Sequence, residues 1–274
     1  MERIKLYEEL EASLGSKLLT CVLFNGPAPD QTVIGDAVVE VIAEHLSRMG
    51  RVDRICLFLR TRGGQLMIAR GFVNLIREYC DELCVIAPDK LRSAGTLMAV
   101  LADSVVMTQQ AELGPVDPSK NSVSFEEITG YFDFAKNNLA IKDSRYLTDI
   151  LIGLSDKIHP QIIGELYRSH VQMETVVMRA LNRYISDKDV ARHTASFLCG
   201  AAGSHDYVIR RQEAKELGLN VRMPEPRVET LIQALYNNIH SDLVLRGGPP
   251  CGLIRSTAGG EHYYSLEKKR WLNV

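Results

Sequence analysis

The sequence predicts an α/β fold: parallel sheets with right-handed βαβ crossovers, plus helical additions. Three observations predict it. Short apolar runs at 55–59, 83–87 and 104–107 read as strands with both faces buried. Segments with helical spacing, 65–79 and 93–102, alternate with them. Turn residues punctuate the joins, as in Thr61-Arg62-Gly63-Gly64 and at Pro88. Crossovers in such units are nearly always right-handed.

The remaining elements follow in order. Residues 3–15 repeat Ile4, Leu6, Tyr7, Leu10 and Leu14 at helical spacing, and 18–24 have the length of a buried strand. A polar, proline-containing loop spans 25–32. Residues 36–49 predict an amphipathic helix with Val38, Ile42, Leu46 and Met49 on one face, stopped by Gly50. From 123 to 182 the pattern is helical, and Pro160 suits a helix start. Ser186-Asp187-Lys188-Asp189 resembles a capping box opening a helix to about Cys199. A short helix at 212–217 stops at Gly218, a helix covers 228–239, and 253–265 read as a hairpin around Gly259-Gly260. The expectation is one domain over 1–274. Its core spans about 18–222, with a helical N-terminal extension at 1–17 and a C-terminal helix and hairpin at 228–274.

The chain has 274 residues, 46% hydrophobic and 24% charged, which is ample for a large core. Net charge is −2, and the basic clusters Arg210-Arg211 and Lys268-Lys269-Arg270 are short, so a nucleic-acid partner is not expected. No apolar stretch nears the roughly 20 residues that span a bilayer. Met1-Glu2-Arg3-Ile4-Lys5 leads into acidic residues, so neither a signal core nor an integral membrane segment is expected, and the location is read as cytoplasmic. Most of the six cysteines sit in apolar runs and read as reduced, buried thiols. Neither a metal nor any other cofactor is expected, and no Walker-type nucleotide loop is present.

The chemistry converges on Ser93. It follows a strand and opens a helix, where unpaired N–H groups favour negative charge. A serine there can attack a carbonyl while nearby N–H groups hold the oxyanion. Gly63-Gly64 ends the preceding parallel strand, and ligand sites in such sheets lie at the carboxyl ends of the strands. Gly63, Gly64 and Ala94 are therefore candidates for the oxyanion hole. Taken singly, Ser93 is also an ordinary helix cap and Gly63-Gly64 an ordinary tight turn.

Four blocks carry a resemblance: Thr61-Arg62-Gly63-Gly64, Arg92-Ser93-Ala94-Gly95-Thr96, Ala102-Asp103-Ser104-Val105-Val106-Met107 and Leu113-Gly114-Pro115-Val116-Asp117-Pro118. Their order and spacing resemble the core of the Clp protease/crotonase superfamily. The nearest likeness is to the serine dehydrogenase proteinase family, a relative of signal peptide peptidase A. Arg62 stands where that family usually has proline. A fifth block, Ser204-His205-Asp206-Tyr207 ahead of Glu213 to Leu219, resembles the aspartate, helix and Gly-Leu element of Clp proteases.

The resemblance implies a serine hydrolase, in particular a peptidase. Transferring the order Ser, Asp, His implies Ser93 as nucleophile, Asp117 as orienter and His205 as base. Serine needs a base within hydrogen-bond reach, and histidine titrates near neutrality. His159 is a rival base, though it also reads as the cap of a helix beginning at Pro160. Asp206 falls on the Clp catalytic aspartate by spacing. Lys136 and Lys142 are candidates for the serine–lysine chemistry of signal peptide peptidases. A non-catalytic scaffold and a crotonase-type enzyme acting on coenzyme A thioesters are the competing classes. The resemblance also implies a homo-oligomer acting on a peptide or protein substrate.

Overall fold

The computed structural model describes residues 3–24, 33–120, 123–245, 252–265 and 270–273. Its first half alternates as the apolar runs require: α1 (Arg3–Leu14), β1 (Lys17–Leu23), α2 (Asp36–Met49), β2 (Val52–Arg60), α3 (Leu66–Arg77), β3 (Cys80–Ala87), β4 (Lys90–Leu91), α4 (Ala94–Leu101) and β5 (Ser104–Met107). Short β6 (Glu112–Leu113), β7 (Ser119–Lys120) and β8 (Val123–Ser124) lead into α5 (Phe125–Asp133), α6 (Ser144–Ser155), α7 (Pro160–Leu181) and α8 (Lys188–Ser196). The chain closes with β9 (Ile209–Arg210), α9 (Arg211–Glu216), β10 (Val221–Arg222), α10 (Pro226–Leu245), β11 (Gly252–Ser256), β12 (Gly260–Ser265) and β13 (Arg270–Asn273). π-helical turns extend α5 over Phe134–Asn138 and α8 over Phe197–Ala201.

The main sheet runs β10-β5-β3-β2-β1-β11-β12-β13. Its pairings from β10 through β1 are parallel, and those from β1 through β13 are antiparallel. Register explains why the core strands are apolar throughout. Leu19, Leu57, Val85 and Val105 align in one row, facing the cluster that holds Val38, Ile42 and Leu46 of α2 and Phe72 and Ile76 of α3. Phe58, Ile86 and Val106 form the next row and face Leu6 and Leu10 of α1 with Ile232, Leu235 and Ile239 of α10. Adjacent residues point to opposite faces, and each face has its own helical cover. A smaller sheet, β4-β6-β9, lies beside the strand ends.

Three local features differ from the expectations or add to them. The expected terminal hairpin also joins the main sheet: β11 pairs with β12 and with β1, and β13 extends the sheet further. No local pattern in 253–265 names a partner more than 200 residues away. The helix after Ser186 is capped by Asp187, whose carboxylate accepts from Asp189 N at 2.8 Å and Val190 N at 3.3 Å. A reciprocal capping box forms instead between Ser124 and Glu127 at the start of α5. The third change is the π turn that closes α8, which reaches past Cys199 through Gly200.

The five described cysteines are buried and unpaired. The loop expected over 25–32, Cys251 and Lys268-Lys269 lie outside the described residues. No described helix is long and apolar enough to cross a membrane.

Candidate active site

Two loops meet at the carboxyl ends of β2 and β3. Thr61 bridges Leu91 in parallel, with Thr61 N donating to Lys90 O at 3.0 Å and Arg92 N donating to Thr61 O at 3.1 Å. This ladder sets Gly63 against Ser93: a Cβ on Gly63 would lie 3.0 Å from Ser93 Cβ. Gly64 is tighter still, because its Cβ would fall 2.3 Å from Ile34 O. Both glycines have positive φ, +126° and +148°, so glycine is required by backbone angle as well as by space.

Ser93 is the N-cap of α4, half-buried, with φ 48° and ψ −109°. Non-glycine residues rarely adopt such a backbone, at a cost of roughly 1–3 kcal/mol, and such strain clusters at functional sites. Ser93 makes no capping hydrogen bond, and its Oγ has no partner among the described residues. The following residues are small, and Gly95 packs on Thr61 and Leu91.

The oxyanion candidates separate. Gly63 N–H is taken by Thr61 Oγ1 at 3.0 Å, so Gly63 has no free donor to offer. The N–H groups of Gly64 and Ala94 have no acceptor among the described residues. They belong to the two loops that flank Ser93.

Asp117 and His205 come together elsewhere. Both line a cavity of ≈570 Å³, with Pro115 and the first turns of α5 among its walls; Ser93 is not among the lining residues. Asp117 is 4% exposed, and its Oδ1 has no hydrogen-bond partner. Burial pushes its carboxyl up to about 6; the Ser124 hydroxyl and the His205 and His170 imidazoles work against that rise, and Glu126 adds to it. His205 therefore sits close enough to Asp117 to favour its charged form. His205 itself is exposed, in the turn before β9.

Arg92 joins the two halves. Its guanidinium bonds Glu112 Oε1 at 2.6 Å and the carbonyls of Tyr207 at 3.0 Å and Asp206 at 3.4 Å. Its stem lies on Gly114, where a Cβ would approach Arg92 Cδ to 2.7 Å. The residue before Ser93 thus holds the turn that carries His205. Glu112 is 5% exposed and also lies 3.5 Å from both Lys90 and Arg210. Sequence reasoning singled out neither Arg92 nor Glu112 as a connector, nor Ser124, Glu126 and His170 around Asp117. The neighbour relation of Arg92 to Ser93 was the one available signal; the others are distant in the chain.

The remaining candidates lie apart. His159 caps α7, its Nδ1 accepting from Gln161 N at 3.2 Å, and is exposed. Asp206 is exposed and lines the same cavity as His205. Lys136 and Lys142 are both exposed, without the burial that lets a lysine act as a neutral base. Among the described residues no group of three His, Cys, Asp or Glu side chains is placed to hold a metal ion.

A family model described as ClpP-like SDH-type serine proteinase matches residues 39–242, most of the chain and every candidate catalytic position just described. The chain belongs to this family. Similar to this ClpP-like SDH-type proteinase are two uncharacterized proteins of Methanocaldococcus jannaschii. MJ0137 is 27% identical, over 86% of this chain and 79% of its own length. MJ1495 is 25% identical, over 86% and 77%. Among solved structures, ClpP1 of Listeria monocytogenes aligns over 83% of this chain and 99% of its own at 12% identity and a TM-score of 0.46. A mutant of the same ClpP1 aligns over 80% and 99% at 14% identity and 0.48.

Proposed function

We propose that this SDH-type proteinase is an active serine peptidase that cleaves peptide bonds through an acyl-enzyme on Ser93. Ser93 Oγ attacks the scissile carbonyl, and His205 takes its proton and returns it to the leaving amine. Asp117 fixes the imidazole and stabilises the imidazolium. Gly64 N–H and Ala94 N–H receive the oxyanion. Water then repeats the sequence on the ester and frees Ser93. The observation that carries this reading is the strained backbone of Ser93, which has an unbonded Oγ and faces the Gly63-Gly64 loop. Catalytic hydrogen bonds often tighten only when substrate binds, and the turn that Arg92 holds is the part that has to bring His205 to Ser93.

The partner in this reading is a peptide or protein, and the protein acts as a cytoplasmic homo-oligomer. Buried free thiols suit a reducing compartment. Exposed Tyr146, Leu151 and Ile152 on α6, a helix with no buried residue, suit contact between copies.

Labelling with a fluorophosphonate tests the assignment. The wild type is expected to label at one site, and Ser93→Ala to lose the label. Labelling that survives in Ser93→Ala, or is absent from the wild type, sinks the proposal.

A further inference from the structure

The cavity that holds Asp117 and His205 is strongly one-signed. Asp117, Glu126, Glu127, Asp133 and Asp206 line it, and no lysine or arginine does so among the described residues. Two of these carboxylates are partly engaged: Glu127 accepts from Ser124 N at 2.7 Å, and Glu126 lies 3.7 Å from His170. Asp133 is exposed at the end of α5, with no ion pair among the described residues. The second observation is Asp117 itself, nine-tenths and more buried, with an Oδ1 that finds no donor among the described residues. An ionised carboxylate offers about four acceptor sites, so a His205 N–H leaves room for another donor.

The donor sought is a cation, and the geometry narrows its kind. No three of these side chains converge on one point as metal ligands do. A field spread over ≈570 Å³ suits a charge carried on a flexible stem with several N–H donors. We propose that this cavity is a specificity pocket for a lysine or arginine side chain of the peptide substrate, so that cleavage falls beside basic residues. This deepens the peptidase reading and rests on it for the position of the scissile bond. A bound ammonium would also favour the charged form of Asp117, which burial opposes.

Binding can be measured without turnover. Fluorescein-labelled decapeptides of alanine, glycine and serine, with one central lysine, norleucine or glutamate, are titrated into the Ser93→Ala protein and followed by anisotropy. The lysine peptide is expected to bind about tenfold more tightly than the norleucine peptide at low salt, and the glutamate peptide least. The lysine advantage should shrink as salt rises. Two variants place a cation in the wall. Asp133→Lys reverses an exposed charge, and Gly130→Lys sits where an added Cβ meets nothing within 4 Å in a helix that glycine disfavours. Each should cut the lysine advantage at least about threefold. Equal binding of lysine and norleucine peptides, or an advantage untouched by both variants, overturns the inference. Fluorophosphonate labelling of the wild type separates the two readings. Labelling without lysine preference defeats the pocket alone. Lysine preference without labelling defeats the peptidase and leaves a cation-binding cavity standing.

Discussion

The two halves of the candidate site are built differently. Ser93, Gly63 and Gly64 sit on the ends of buried parallel strands, locked by the ladder through Thr61, Leu91 and Ile34. His205 rides an exposed turn, and Asp117 lies in a segment between short strands that is walled by α5 and the π turn after α8. In the nucleophile half, positive φ and close contacts leave room only for glycine at 63 and 64. In the base half, the guanidinium of Arg92 reaches the carbonyls of Asp206 and Tyr207, and Val116 N–H bonds Leu198 O beside Asp117. The difference teaches that pre-organisation of the oxyanion and the reach of the base are separate problems in this fold, solved by separate parts of the chain.

The largest effect expected after loss of Ser93 tests the half that carries His205. His205→Ala should lower kcat by about 10³–10⁴ with KM little changed, whereas His159→Ala should stay within about twofold. Steady-state kinetics decide it, and the reverse ranking would move the base to the cap of α7.

Next comes the rigid half. Gly64→Ala places a methyl 2.3 Å from Ile34 O, so the loop must shift and carry its N–H with it. A fall in kcat of about 10²–10³, with lost thermal stability, is expected. Gly71→Ala, at an exposed position of α3 outside the cavity with nothing within 4 Å of an added Cβ, serves as the control: kcat should hold and thermal stability should not fall.

The smallest effect concerns Asp117 and is read as stability rather than rate. Its carboxyl is raised from 3.8 to about 6, so the folded state holds a proton that the unfolded state has released between those values. Wild-type stability therefore falls as pH climbs through that window, and the penalty is fully present above it. Asp117→Asn should match the wild type near pH 4 and exceed it above pH 6, by up to about 3 kcal/mol. Urea melts at both pH values measure this; a constant difference would show that the carboxyl is not strained by burial.

The same contrast governs what could be read from residues alone. Strands β2, β3 and β5 are apolar because both their faces are covered, and that pattern is local. Ser93 and Gly63-Gly64 follow because strand ends in a parallel sheet share one side. Legibility stopped where function depended on pairing between distant segments. That Thr61 Oγ1 consumes the Gly63 N–H is a matter of one rotamer. Asp117 gathers Ser124, Glu126 and His170 only after α5 and α7 pack. Ser124-Phe125-Glu126-Glu127 and Ser186-Asp187-Lys188-Asp189 both place a serine three residues before a carboxylate, and only the backbone decides which residue stands outside the helix.

The pairing of β1 with β11 has a consequence for the order of assembly. Leu19 lies opposite Ser256, and Leu23 opposite Gly252. β1 thus keeps one open edge until the distant β11 has been made. During translation that edge, with buried Leu19, Cys21 and Leu23, is a bare template for another strand. Ile34, whose backbone bonds Gly63 and Gln65 and shapes Gly64, follows the same strand in sequence. A nascent chain therefore carries Ser93 long before it carries a finished sheet, and its hazard in that interval is sticking to other chains.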